Sequence, residues 1–342
     1  MKAIKTHRKN AEKIKRYLLR HKIFDKSYRV FKSNSFIYFP MKECKAAEIR
    51  WLRSNGAVVA DVKLEKSSSK NYRSVLLSLV GARRYKRMAK SYDIVGNIAT
   101  IDKNRKSDAL AIAKAIMLTN KNVETVLMKN SAVRGRYRKR SYAYVLGKRN
   151  YVAVYKENGA TFKFDVRKTF FSTRLAYERA RITRSARDYE NVVVMFAGVG
   201  PFAIEIAKAH RHSTVVAIEL NRAAYEYLCE NIAINRLTNV TAVHGDVRKV
   251  SKDYRGFADR IIMPLPKTSH EFLYSAFEVA KEKATVHYYA FGKANEAVIQ
   301  NIKKITDFFS KLNCGVAILG SRVVRPYSST EIEIVIDFEI QK

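Results

Sequence analysis

From about Val166 to the end of the chain, short apolar runs alternate with longer stretches whose apolar positions recur every three or four residues. The runs VVVMF, TVVAIEL, VTAVHGD, ADRIIM and TVHYYAF read as strands and the stretches between them as helices, and this rhythm predicts an α/β, doubly wound, mostly parallel sheet covered by helices. From about Ser91 to Phe164 the pattern changes: YDIVGNIATI, VETVLMK, SYAYVLG and YVAVYKENGATFKFDV alternate as antiparallel strands do. Before them SVLLSLVGARRYKRMAK reads as a basic helix behind the polar linker SSSKNYR, which begins at Ser67. The first part, to about Lys66, predicts a helix, a strand at SFIYFP, a helix at ECKAAEIRWLRSNG stopped by Gly56, and a strand at AVVADVKLE. At its start, Ile4, Ile14, Leu18 and Leu19 suit a single amphipathic helix. Three parts are therefore expected, 1–66, 67–165 and 166–342, the first two being small α+β domains.

Charge narrows the partner. Lys and Arg number 66 against 31 Asp and Glu, a net charge of +35 spread along all 342 residues. Such an excess points first to nucleic acid and second to an anionic membrane surface. No apolar run approaches the ~20 residues of a membrane span, and the N-terminus lacks the apolar core of a signal peptide. Cys44, Cys229 and Cys314 are isolated and odd in number, which argues for the reducing cytoplasm. Two basic stretches stand out: RRYKRMAK, with Arg83 and Arg84, and SAVRGRYRKR, with Arg134, Arg136 and Arg138. Most such runs are solvated faces. Here Tyr85, Tyr92, Tyr137 and Tyr142 interleave with the cations, and aromatics beside Arg suit stacking on exposed bases. The seven His are scattered without metal-ligand spacing, so no metal site is expected.

The stretch VVVMFAGVGPFAIEIAKAH, Val192 to His210, ends a strand in Gly198, Gly200 and Ala203, spaced G-x-G-x-x-A, and then turns helical. That arrangement bares the main chain to a nucleotide-like ligand. Glu219, 19 residues past Gly200, falls at the next strand end, where a carboxylate can accept both ribose hydroxyls. A dehydrogenase would place an acid there too. The third strand end separates the two, because Asp246 in VTAVHGD is positioned to accept from an adenine amino group. A proline-bracketed turn, PLP from Pro264, follows the fourth. This succession resembles a class I S-adenosylmethionine-dependent methyltransferase.

FFSTRLAYERARI, MFAGVGPFAIEIAK, VAIELNRAAYEYLCENIAIN and DRIIMPLPKTSHEFL together resemble the archaeal and eukaryotic tRNA (guanine-37-N1)-methyltransferase family. The likeness extends to YDIVGNIA and GRYRKR and more faintly into the first part. It implies a Rossmann-like methyltransferase domain preceded by two tRNA-binding domains, S-adenosylmethionine as methyl donor, and tRNA held at anticodon-loop position 37 and at a remote point by a monomer. Glu178 falls on the general base and Arg138 on the arginine that holds the guanine oxygen, with Arg136 as an alternative register. Arg174, Phe196, Gly198, Gly200, Phe202, Glu219, Asp246 and Val247 fall on positions lining the cofactor site. Three positions depart from the family's usual forms F-S-P-R-L-x-x-E-R, D-M-F-A-G-V-G-P-F and I-M-N-L-P-K: Thr173 for proline, Val194 for aspartate and Pro264 for asparagine. That asparagine touches both cofactor and target base. Its loss points to the branch of the family that also methylates C7 of 4-demethylwyosine at the same nucleotide.

Chemistry supports those roles independently. Guanine N1 carries its proton at neutral pH, so a base must remove it as the lone pair attacks the methyl group. An arginine can stabilise the charge that develops at O6. The plainer reading of Glu178 is a helix-surface partner of Arg174 or Arg181 at i±3 or i±4. Two rival functions remain: a transferase of the aminocarboxypropyl group in wyosine synthesis, and a tRNA-binding protein without catalysis. The F-S-x-R-L-x-x-E-R segment favours methyl transfer over the first, and an intact Glu178 argues against the second.

Overall fold

A computed structural model describes residues 1–25, 27–65, 71–131, 135 and 140–342. Arg134, Arg136, Tyr137, Arg138 and most of the linker from Ser67 lie outside them. The chain forms two compact units, Met1–Asn71 and Tyr72–Lys342.

In the first unit, strands β1 (Lys2–His7), β2 (Phe31–Lys32), β3 (Phe36–Pro40) and β4 (Ala57–Asp61) pair antiparallel in the order β2-β3-β1-β4. Helices α1 (Ala11–Arg20) and α2 (Ala46–Ser54) contribute Ile14, Leu18 and Leu52 to a core shared with Ile4 and Phe39. Ile4 therefore belongs to the central strand and not to the amphipathic helix expected at the N-terminus, and Leu19, 42% exposed, points away from the core. The cause is a period change. Ile4 and Thr6 face inward at the two-residue spacing of a strand, and the helical spacing begins only beyond Asn10.

The second unit opens with α3 (Tyr72–Arg87), which is not one basic helix: Gly81 has φ 74° and breaks it in two. A sheet β5-β6-β7-β8 follows, from β5 (Tyr92–Val95), β6 (Ile98–Ile101), β7 (Thr125–Lys129) and β8 (Tyr142–Gly147). The run YDIVGNIATI is two strands of a hairpin. Gly96 turns it at φ 58°, with the carbonyl of Val154 so close that no side chain fits. The antiparallel expectation fails between β6 and β7, which pair parallel. A crossover helix, α4 (Lys106–Thr119), joins them, burying Ala109, Ile112, Ala113 and Ile116 at helical spacing. Next come β9 (Val152–Glu157) and β10 (Ala160–Asp165), a hairpin turned by Asn158 and Gly159, both at positive φ.

The remaining strands form one sheet in the order β13-β12-β11-β14-β15-β17-β16: β11 (Asn191–Met195), β12 (Thr214–Glu219), β13 (Val240–His244), β14 (Ala258–Met263), β15 (Ala280–Lys293), β16 (Gly315–Pro326) and β17 (Glu331–Gln341). The first five are parallel, and β17 runs antiparallel to both neighbours. Helices α5 (Ala176–Ser185), α6 (Pro201–Ala209), α7 (Arg222–Ile234), α8 (Val247–Val250), α9 (Leu273–Val279) and α10 (Ala297–Ser310) cover it. Along each strand alternate residues enter alternate cores. Val192 and Val194 pack on one face with α6 and α7, whereas Val193 and Met195 pack on the other with α9 and α10. The hairpin β9–β10 joins the first of these cores through Phe162 and Phe164. It is tied to α7 by Asn231, which accepts from the Lys163 N–H at 2.7 Å, and by Asn235, which accepts from the Thr161 N–H at 2.9 Å. Chain order reverses between β11 and β14, and open α/β sheets bind ligands at the carboxyl ends of strands at such a switch point.

Candidate active site

The carboxyl end of β11 opens into a turn whose residues carry unusual backbone angles. Phe196 has φ 57°, Gly198 60° and Gly200 93°, and Pro201 then starts α6 at its N1 position. The two glycines serve different ends. A methyl group added at Gly200 would meet Leu228 Cδ1 at 2.5 Å and Ile204 Cδ1 at 2.8 Å, so packing requires that glycine. One added at Gly198 would find nothing closer than the Phe170 carbonyl oxygen at 3.9 Å. The main chain at Gly198 is thus bared towards open space, as a bound ligand needs.

Glu219 braces that turn. Its two oxygens accept the Gly198 and Asn221 N–H groups, each at 2.7 Å. Burial pushes its carboxyl pKa up, against the lowering effect of those same bonds. Each oxygen keeps a second lone pair, so acceptance from a ribose diol is compatible with its structural work. Phe202 is buried on the first turn of α6 with its ring 6.0 Å from Tyr289, and Phe196 packs edge-on against Phe272 at 4.7 Å. Val247 is buried at the start of α8. Asp246 caps that helix, accepting the Arg248 N–H at 3.1 Å, and both its oxygens also meet the Arg248 guanidinium. Val194 lies wholly inside the sheet core.

Glu178 stands in the first turn of α5, 3% exposed. Its Oε1 accepts three hydrogen bonds: from Arg181 Nε at 3.0 Å, Arg181 Nη2 at 2.7 Å and the Tyr289 hydroxyl at 2.9 Å. The i,i+3 ion pair with Arg181 is the one the plainer reading anticipates, but it is buried and not on the helix surface. Arg181 continues into Asp337, whose carboxyl is held at about 2; burial opposes this, and hydrogen bonds from His287 and Arg181 prevail. His287 is fully buried, so desolvation lowers its pKa and favours the neutral ring. In that form Nδ1 donates to Asp337 and Nε2 accepts from Arg260. Arg260 closes on Glu190 at 2.7 Å and 2.9 Å. Glu178 is thereby fixed by a chain of satisfied polar groups crossing the sheet.

Other expected residues stand apart. Arg174 is 66% exposed and donates to Asp93 on β5 at 2.9 Å. Arg84 pairs with Asp108 at 2.6 Å, and Arg83 is exposed. Tyr85 is not open for stacking, since Arg73 and Lys90 already lie over its ring, and Tyr92 packs edge-on against Tyr72. Pro264 follows β14 in a turn closed around it: the Leu265 N–H donates to the Met263 carbonyl at 3.0 Å, and Ser269 Oγ donates to the carbonyls of Met263 and Leu265. Sequence reading missed Tyr289, Arg181 in its bridging role, and Arg322, whose Nε lies 3.9 Å from Glu178 Oε2. Only the polar tip of Tyr289 inside an apolar strand hints at a partner. Among the described residues no group of three or more His, Cys, Asp or Glu could hold a metal ion. No described helix is long and apolar enough to cross a membrane.

Comparison with known proteins bears on this geometry. Residues 153–317 match a TRM5/TYW2 methyltransferase domain, and residues 3–45 a tRNA methyltransferase 5 N-terminal domain. The chain is 35% identical over 342 residues to the tRNA (guanine(37)-N(1))-methyltransferase Trm5b of Pyrococcus abyssi, covering 99% of this chain and 98% of that one. The crystal structure of Pyrococcus abyssi Trm5b superimposes with a TM-score of 0.72 at 34% identity, covering both chains fully. The complex of aTrm5 with tRNALeu superimposes at 0.69 and 27% identity, covering 98% of this chain and 99% of that one. A tRNA (guanine(37)-N(1))/4-demethylwyosine(37)-methyltransferase, Taw22 of Nanoarchaeum equitans, is 29% identical over 274 residues, 65% of this chain and 90% of that one. With a glycine-bearing turn at the switch point of its sheet and full-length likeness to Trm5b at 35% identity, the chain belongs to the Trm5 family.

Proposed function

We propose that this protein transfers the methyl group of S-adenosylmethionine to N1 of guanine-37 in tRNA. The observation that carries the proposal is the state of Glu178: all three of its hydrogen bonds fall on Oε1, and no described donor is bonded to Oε2. An anchored carboxylate with one oxygen left over is what a general base requires. When bound, S-adenosylmethionine supplies a methyl carbon made electrophilic by its sulfonium. The chain's residues do the rest. The bared backbone at Gly198, with Glu219 behind it, receives the nucleoside portion, and Asp246, already engaged by Arg248, faces the adenine edge. Glu178 Oε2 takes the N1 proton, the N1 lone pair bonds to the methyl carbon, and the electron pair of the broken carbon–sulfur bond stays on sulfur. Arg138 is assigned to O6 by the family resemblance.

Several features support tRNA as the partner. The net charge of +35 calls for a polyanion. In the first unit Trp51, Tyr17 and His21 form a stack, with centroid separations of 3.6 Å and 4.2 Å, in a groove rimmed by Lys13, Arg16 and Arg20. Aromatic faces among cations suit RNA bases, and we assign this unit a grip on the tRNA remote from position 37, the enzyme working as a cytoplasmic monomer. The test is incubation with labelled methyl donor and unmodified tRNA followed by nucleoside mass spectrometry. The expected product is 1-methylguanosine at position 37. An aminocarboxypropyl adduct, or no adduct, would refute the reading.

Pro264 favours a second activity. The turn around it uses no N–H at residue 264, so an asparagine would fit the same backbone, and the difference is chemical: an amide donor and acceptor are missing. Loss of a polar contact relaxes the pocket towards a larger base presenting a carbon nucleophile. The enzyme is then expected to methylate C7 of 4-demethylwyosine-37 as well, and Pro264→Asn to lose that activity before activity on guanine. Failure to methylate tRNA carrying 4-demethylwyosine, under conditions where guanine-37 is methylated, would remove this second reading and leave the first.

A further inference from the structure

Arg322 approaches the buried acid from the edge of the sheet, on the same face as Tyr289, since both are in register with Val335. It stands on β16, the outermost strand, across β17 from the strand that carries Tyr289. Its Nε is buried and has no hydrogen-bond acceptor among the described residues. The same atom lies 3.9 Å from Glu178 Oε2, beyond hydrogen-bond range and on the oxygen that Arg181 and Tyr289 leave alone. The guanidinium is placed over the ring of Tyr177, 5.4 Å from its centroid, and the side chain is 38% exposed, so one side of the group remains open. A desolvated donor without an acceptor carries an energetic penalty that folding alone does not explain.

We propose that Arg322 is a further catalytic residue, donating to O6 of the target guanine while Glu178 Oε2 takes the N1 proton. The proposal rests on the reading of Glu178 as the base. N1 and O6 are neighbours on one edge of the purine. Two hydrogen bonds of roughly 2.9 Å to those neighbours require acceptor and donor a few ångströms apart on the protein, and 3.9 Å is such a spacing. As N1 loses its proton, negative charge spreads to O6. The Arg322 guanidinium stabilises it there, in addition to Arg138, which the family resemblance assigns to O6. Arg322 makes and breaks no covalent bond and keeps its proton throughout; the proton that moves goes from N1 to Glu178 as the N1–methyl bond forms and the carbon–sulfur bond breaks.

Arg322→Ala, assayed in single turnover on tRNA with guanosine-37, is expected to lower the methylation rate about 10²-fold, with cofactor and tRNA affinities within threefold of wild type. The discriminating substrate is the same tRNA with 6-thioguanosine-37, whose sulfur accepts hydrogen bonds poorly. If Arg322 acts on the six-position oxygen, its removal costs at least tenfold less there. A smaller difference between the two substrates, or a guanosine rate within twofold of wild type, overturns the proposal and leaves Arg322 a packing residue. Arg322→Lys and Arg322→Gln carry the same comparison should the alanine variant fail to bind cofactor. Glu178→Gln in parallel separates the two readings. Full activity in that variant removes the base assignment itself, whereas its loss beside an active Arg322→Ala removes only the O6 contact.

Discussion

Glu205 offers a stability prediction that depends on little else. It sits on α6, the helix that follows the Gly198–Gly200 turn, with its side chain essentially buried. Arg179, equally buried, lies 2.5 Å from Glu157 and 3.5 Å from Glu205, so two carboxyls share one guanidinium. Glu205 Oε2 accepts from Asn158 at 2.7 Å, while Glu205 Oε1 and Glu157 Oε2 have no described donor. A proton held between the two acids satisfies both atoms. Burial, then the hydrogen bond to Glu157, accordingly pushes Glu205 up from 4.5 to about 8. The raised value means that the folded protein holds this proton where the unfolded chain has released it. The stabilisation is complete below pH 4.5 and declines as pH rises towards about 8, by about 1.4 kcal/mol per pH unit. Glu205→Gln fixes the uncharged state. Between pH 5.5 and 7.5 the variant should therefore gain about 2 kcal/mol on wild type, a few degrees in Tm for a unit of this size. Calorimetry of both proteins at these two pH values measures the difference, in which the titrations of groups outside the Glu157–Arg179–Glu205 cluster cancel. A difference between variant and wild type that stays constant within about 1 °C would refute the shared proton.

Three further predictions concern the site itself. Glu178→Gln keeps the shape and removes the proton acceptor, so single-turnover methylation should fall by ~10²-fold or more with tRNA and cofactor affinities unchanged; a rate within a few-fold of wild type would make Glu178 structural. Gly198→Val meets no neighbour but forces a β-branched residue to φ 60°, so it should cost some stability and, in the fraction that folds by circular dichroism, lose S-adenosylmethionine binding in calorimetry. Gly200→Ala should fail first in folding, since Leu228 and Ile204 fill its surroundings, and normal cofactor affinity in the folded valine variant would overturn the assignment of the turn. Removal of residues 1–71 should leave cofactor binding intact and weaken tRNA binding in filter assays at moderate salt, and undiminished affinity would count against a remote grip.

What the sequence makes legible is what lies close together along the chain. The turn at Gly198 and its brace Glu219 can be read because each follows directly from a strand end, and a strand end is visible as an apolar run. The partners of Glu178 cannot. Tyr289 and Asp337 come from strands 111 and more residues away, and nothing local to TVHYYAF says that its second tyrosine, and not its first, faces α5. The misplacement of Ile4 has a related cause. A six-residue strand offers too few positions to separate a period of two from one of 3.6 when a helix of similar composition follows at once.

The segment F-S-x-R-L-x-x-E-R shows why neighbouring charges need not share a task. Successive residues of a helix point about 100° apart, so Glu178 and Arg179 cannot face the same surroundings. Glu178 turns to Tyr289, Arg181 and Arg322. Arg179 turns into the core, where it meets Glu157 of β9 and Glu205 of α6 and donates to the Ser172 carbonyl at 3.1 Å. Those contacts tie the approach to α5, the hairpin and α6 at one buried point. Because α6 begins at the turn that carries Gly198, the contacts that hold Arg179 link the first turn of α5, and with it Glu178, to that turn. Any change that loosens the Arg179 cluster should therefore reach the reaction through the position of its neighbour, lowering the methylation rate while leaving the chemistry of Glu178 intact.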